Sequence, residues 1–177
     1  MATNKKSSGS VENKNTTDSK KTNKKKTSKV KRFFKYLSLF FTYGAIYFII
    51  ECIYKGELSD WRMFVLAGFI GITIGLINNL FDMNTDFLLQ CIVGMLVATL
   101  SEAIGGYYWN LQCGLGIWDY SSLPFSFIGG QINLFFSLAW LFLSGVVIVL
   151  DDIIRWRLYG EESPKYYIHG KEILKIR

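Results

Sequence analysis

Four runs of apolar residues divide the chain: residues 33–54, 63–81, 87–109 and 132–150. Each holds few or no charges and is close to the roughly 20 helical residues that cross a hydrocarbon core of about 30 Å. Four such runs in so short a chain leave too little polar surface for a soluble helical bundle. The pattern predicts an all-α, integral membrane four-helix bundle. Residues 1–32 are Lys, Ser, Thr and Asn with almost no apolar content. Such a segment buries too little surface to offset its ordering entropy, so a disordered basic N-terminal tail is expected there. The division is then a tail over 1–32, a four-span membrane domain over 33–158 and a short basic tail over 159–177.

Charge sets the orientation. No lysine or arginine occurs between Arg62 and Arg155, and eleven of the 20 basic residues lie in the first 32 positions. Arg155, Arg157, Lys165, Lys171, Lys175 and Arg177 make the other end basic as well. Four spans put both ends on one side, and the positive-inside rule makes that side cytoplasmic in a multi-pass cell-membrane protein. The 110–131 connection then lies outside. Trp61, Tyr107, Tyr108, Trp109 and Trp118 fall at the outer boundary, as interfacial aromatic residues do. Gly68, Gly71 and Gly75 on the second span, and Gly94 with Ala98 on the third, allow close helix approach, within one bundle or between two copies.

Depth sorts the polar residues. Glu102 stands fifteen residues beyond Phe87, roughly 22 Å at 1.5 Å per residue, in the outer leaflet. Glu51 lies at a similar height. Gln131 and Asn133 open the fourth span, with Asp119 and Tyr120 just above. An acidic residue inside the membrane is by default a functional hypothesis. With no cation on the third or fourth span, Glu102 has few ways to remain charged. It can serve as a neutral, hydrogen-bonded packing lock or as part of a ligand site. A second polar group, Asn78, Asn79 and Asp82 level with Asp151 and Asp152, is expected as solvated helix ends at the inner face.

The chemistry is sparse. Cys52, Cys91 and Cys113 show no metal spacing, and free thiols are expected, with a Cys52–Cys113 bridge the alternative. The one histidine, His169, is in the C-terminal tail, and no nucleophile with a positioned base is visible, so catalysis is not expected. There is no GxxxxGK[ST] phosphate loop. No cofactor, metal or nucleic acid is implied. The bilayer is the expected partner, alongside a second copy or another membrane protein.

The string Trp118-Asp119-Tyr120-Ser121, then Pro124, Gly130-Gln131-Ile132 and Trp140, resembles the signature of the ABC-transporter type IV, CmpB-like, membrane proteins over residues 35–158. Glu102 falls where that family carries an acidic residue. Ser126 departs from the asparagine expected at its position. The resemblance implies a multi-pass bacterial membrane protein of permease type. Together with the convergence of polar residues in one outer layer, it leads to the expectation of a transporter-permease or lipid-handling component, with Glu102, Trp118, Asp119, Tyr120, Gln131 and Asn133 as ligand-binding residues and Glu51 as a secondary polar group. The alternative is a non-transporting scaffold or binding subunit, ahead of a membrane-embedded lipid-modifying enzyme with Glu102 and Asp119 as its acid–base pair. A separate ATPase would need a docking element, and the 82–86 loop is too short to hold one.

Overall fold

The computed structural model describes the backbone of residues 9–78, 80–81 and 85–176, and side chains from residue 30 onward apart from 77 and 78. Four helices account for most of it: α1 (Gly9–Lys55), α2 (Trp61–Asn78), α3 (Phe87–Gly106) and α4 (Leu134–Tyr159). Two short antiparallel hairpins complete it, β1 (Ser126–Phe127) with β2 (Ile132–Asn133), and β3 (Lys165–Ile168) with β4 (Lys171–Lys175). Residues 1–38 and 39–177 form two separate units. The expected disordered tail lies outside the described residues over 1–8, and its side chains do so through residue 29. In the first unit α1 begins at Gly9, and Phe33 meets Phe34 edge to face at 5.8 Å.

The second unit contains the bundle. Its helix ends follow local sequence signals. Gly56 (φ 71°) closes α1, its N–H donating to the Cys52 carbonyl at 2.9 Å. Asp60 accepts from Arg62 N–H at 2.8 Å to start α2. Asp86 and Asn133 cap α3 and α4 in the same way, through Leu88 N–H and Phe135 N–H, both at 2.9 Å. Gly160 (φ 68°) ends α4. The stretch Val30–Lys55 of α1, α3 with its extension to Gln112, and α4 are long and apolar enough to cross a membrane; α2 is the shorter apolar helix of the four.

The bundle is apolar outside as well as inside. Phe69, Leu96, Leu100, Ile104 and Phe142 are all more than half exposed. In water such a surface would associate, whereas in lipid it has no hydrophobic penalty. The core holds Ile70, Ile74, Ala98, Trp140 and Ile148. Small residues set the helix spacing. A Cβ on Gly94 would lie 2.7 Å from Ser144, and one on Gly75 would lie 2.9 Å from the Asp151 carboxylate. Gly71 faces the Tyr43 ring and Gly68 that of Phe40. These glycines thus make contacts within one bundle, as the first of the two sequence readings has it.

The polar residues opposite the long loop differ from expectation. Asn79 and Asp82 lie outside the described residues, as does the Asn78 side chain. Asp151 is no solvated helix end: it is 1% exposed, accepts from Tyr43 Oη at 2.6 Å and pairs with Arg155 Nε at 3.0 Å. Arg155 is itself buried and reaches Glu161 at 3.8 Å. An aspartate and an arginine four residues apart share a helix face, and here that face points into the bundle. Residues 165–175, expected as part of a basic tail, form a hairpin turning through His169 and Gly170, both at positive φ. Tyr166 anchors it, buried edge-on against Phe87 at 5.0 Å with its hydroxyl donating to Asp152 at 3.0 Å. Asp86 closes the clasp, accepting from His169 N–H at 2.7 Å.

Two outcomes follow from this packing. Arg155→Leu leaves the Asp151 carboxylate buried without its cation and destabilises the protein by about 3 kcal/mol, more than the Asp151→Leu/Arg155→Leu double variant. Denaturant titration in mixed micelles measures both. The backbone N–H of His169, then that of Leu88, holds the Asp86 carboxyl below its ordinary range. Hairpin docking is therefore complete above the unfolded value of about 4 and is lost as pH falls through the lower native value. NOEs between the Tyr166 and Phe87 rings should persist at pH 6 and fade in that acid window, and Asp86→Asn should weaken them already at pH 6.

Candidate functional site

The long connection is built from its ends inward. Beyond α3 the helix widens into one π-helical stretch over Tyr107–Gln112, with Cys113 N–H donating to the Tyr108 carbonyl at 3.0 Å. Such π turns displace the helix path and are frequent where side chains must be re-aimed. This one places Asn110 beneath the loop. Its amide donates to the Trp118 carbonyl at 2.9 Å and to Gln131 Oε1 at 2.7 Å, and its oxygen accepts from Ile117 N–H at 2.7 Å. Trp118 is buried and its indole N–H donates to the Gln131 carbonyl at 3.0 Å. Gln131, 2% exposed, packs on Gly106, where a Cβ would lie 2.7 Å from its Oε1.

Tyr120 carries the loop to Glu102. Its backbone N–H donates to the Gly130 carbonyl at 2.8 Å, its ring stacks on Phe136 at 4.6 Å, and its hydroxyl donates to Glu102 Oε1 at 3.3 Å. Burial, then the nearby Glu102, pushes the phenol above its ordinary value, so Tyr120 keeps its proton and acts as a donor. The second carboxylate oxygen accepts from Trp140 Nε1 at 3.1 Å. Trp140 in turn stacks on Tyr47 at 5.3 Å. Glu102 is 2% exposed, and the space it bounds with Tyr47, Met63 and Trp140 has no room for a water molecule.

Glu51 lies one helical turn beyond Tyr47 on α1. Its partner is Lys55 at 2.9 Å, whose ammonium also reaches the Ile117 carbonyl at 3.4 Å. Asn133 does structural work at the start of α4. Besides its cap it donates to the Pro124 carbonyl at 2.8 Å and to Ser126 Oγ at 2.9 Å. Ser126 passes the link to the Tyr120 carbonyl at 2.6 Å, so a hydroxyl serves at the position where the family resemblance led us to expect an amide.

Asp119 is exposed in the loop, with its carboxylate lying where a Cβ on Gly130 would project. It accepts from Ser121 N–H at 2.7 Å, which holds its carboxyl below the usual range. Five of the residues singled out from sequence, Glu102, Trp118, Tyr120, Gln131 and Asn133, thus belong to one connected assembly. Glu51 borders it, and Asp119 folds the turn beside it. Sequence reasoning missed Asn110, Tyr47 and Trp140 as working parts. The i, i+8 spacing of Glu102 and Asn110 was the available hint, but the π turn breaks the regular periodicity that would have exposed it. Cys52, Cys91 and Cys113 are free. Among the described residues no group of His, Cys, Asp and Glu could hold a metal ion.

Asn110 anchors the loop through three hydrogen bonds. Asn110→Ala should cost about 2 kcal/mol by leaving buried partners unsatisfied. It should also open residues 113–130 to protease while α4 stays protected. A loop as resistant as that of the parent protein would show that Asn110 is not its anchor.

The residues that carry this assembly fall inside a match to the family model described as "Putative ABC-transporter type IV", which covers residues 38–161. No curated protein and no solved structure matches the chain. The matched segment includes α2, α3, α4, the loop and the part of α1 that packs on them. By that match over most of its length, this membrane protein belongs to the ABC-transporter type IV family.

Proposed function

We propose that the chain is a non-transporting, membrane-embedded binding or scaffold subunit, with the Glu102 cluster acting as its packing lock. One observation carries this reading. Both oxygens of Glu102 accept hydrogen bonds from within the chain, and the adjoining space holds no water-sized volume. A permeation or substrate site at this depth needs polar groups that face a cavity. Here both donors are spent on the two oxygens of Glu102, and Asp119 is engaged by Ser121 N–H within the loop. A closed polar junction of this kind fixes helix register and leaves outer surfaces to do the binding.

The reading extends to topology and partners. Both termini lie on the cytoplasmic side of the cell membrane, supported by the basic residues at the two ends and their absence between Arg62 and Arg155. These 177 residues hold no phosphate-binding loop, so the reading places no ATP hydrolysis within them. The name of the family favours an assembly with transporter components, in which this chain contributes contacts rather than a pathway. The permease reading keeps one distinguishing requirement: water must reach the level of Glu102 from one face.

Thiol accessibility separates the two. In a chain whose native cysteines are replaced, Met63→Cys and Ala67→Cys place probes beside Glu102. Neither should react with a membrane-impermeant maleimide from either face of sealed vesicles. Ready labelling of either one would establish an aqueous path and remove the scaffold reading.

A further inference from the structure

A long groove runs along the outside of α4, bounded at one end by the start of α3 and by the β3–β4 hairpin. Its volume is about 710 Å³, and its walls are apolar throughout, among them Phe87, Cys91, Leu138, Phe142, Val146 and Ile168. From Leu138 to Ile153 the α4 wall extends roughly 22 Å at 1.5 Å per residue. That exceeds half of a hydrocarbon core of about 30 Å, so the groove can take the full depth of one leaflet. Gly145 keeps it open: any side chain there would project toward Cys91 and Phe87.

The hairpin end of the groove carries charge. Ile168, which lines the groove, is the direct cross-strand partner of Lys171. Directly opposite residues in an antiparallel pair project on the same face, so the Lys171 side chain stands over the groove mouth. Lys171 is exposed, and among the described residues it has neither an ion-pair nor a hydrogen-bond partner. The acidic residues nearby are engaged elsewhere. Asp86 accepts from the N–H groups of Leu88 and His169, and Glu172, on the opposite face, accepts from Tyr167 Oη at 3.2 Å. Trp156, with Arg157 over its ring at 4.1 Å, closes α4 at the same end, where aromatic and basic residues meet headgroups.

We infer that this groove is a site for an anionic phospholipid, one acyl chain lying along α4 and the headgroup phosphate meeting Lys171. A wholly apolar trough fits a chain of methylenes, and a single unpaired ammonium at its mouth selects headgroup charge. Because the hairpin positions Lys171, it is a specificity element rather than a loose tail. The site is independent of the Glu102 junction and does not rest on the scaffold reading.

The test uses the full-length chain reconstituted in vesicles of equal phosphatidylglycerol and phosphatidylcholine, then purified in mild detergent with its retained lipid quantified by mass spectrometry. Phosphatidylglycerol should be enriched in the retained fraction. Lys171→Gln, at an exposed position, should lower that enrichment about fivefold, the effect of one surface cation on an anionic lipid. Val146→Trp, which fills the groove, should lower the retained amount of both lipids, and Leu138→Trp provides the same block farther along. Equal retention of the two lipids by the parent protein would overturn the site. So would enrichment that survives Lys171→Gln but disappears when Lys24, Lys25 and Lys26 are changed to Gln, which would assign it to the N-terminal segment. A parent protein that elutes as a dimer, dissociated by Val146→Trp, would give the groove to a second copy instead.

Discussion

The arrangement at the long-loop end depends on one buried carboxylate. Glu102 sits on α3, accepts from an indole on α4 and from a phenol on the loop, and has no room left for solvent. In a bilayer a polar group without partners costs several kcal/mol, so the chain must bring donors to it. Meeting that demand fixes three things together: the rotation of α3 against α4, the height of Trp140 and the path of the loop through Tyr120. Tyr47, stacked on Trp140, extends the constraint to α1.

The opposite end repeats the logic with a different pair. Asp151 and Arg155 neutralise each other inside the bundle, and Tyr43 supplies a further donor from α1. Gly75 and Gly94 let the helices approach closely enough for these contacts. Packing between helices in lipid gains little from apolar burial, so small residues and satisfied polar groups have to hold the register. The two polar junctions, one near each end, bracket the apolar core around Ile70, Ile74 and Ala98. The outward surface is left apolar and variable in shape, which is where binding can occur without disturbing either junction.

Much of this could be read in the sequence, for identifiable reasons. The apolar runs marked the helices because lipid imposes length and composition directly. Glu102 stood out because an acid without a nearby cation is conspicuous in such a run, and depth arithmetic brought it level with Gln131, Asn133 and Tyr120. The exposure of Asp119 could not be read that way, since height along the bundle says nothing of how deeply a loop side chain is buried. The Asp151–Arg155 pair was obscured by its position near a basic end, where charges are ordinarily solvated; the four-residue spacing was the overlooked signal. The C-terminal hairpin was hidden by its basic composition and by a His169-Gly170 turn that lacks the Asn-Gly or Asp-Gly signature of a two-residue hairpin loop. Asn110 depended on a π turn that no periodicity announces.

A double-mutant cycle between Glu102 and Trp140 tests the central claim most directly. Glu102→Gln, Trp140→Phe and the combined variant are compared by reversible unfolding in mixed micelles. If the carboxylate is the junction described, the two changes are coupled by about 1–2 kcal/mol, the double variant losing less than the sum of the singles. Additive losses, or a Glu102→Gln variant as stable as the parent with Trp140 intact, would contradict the account.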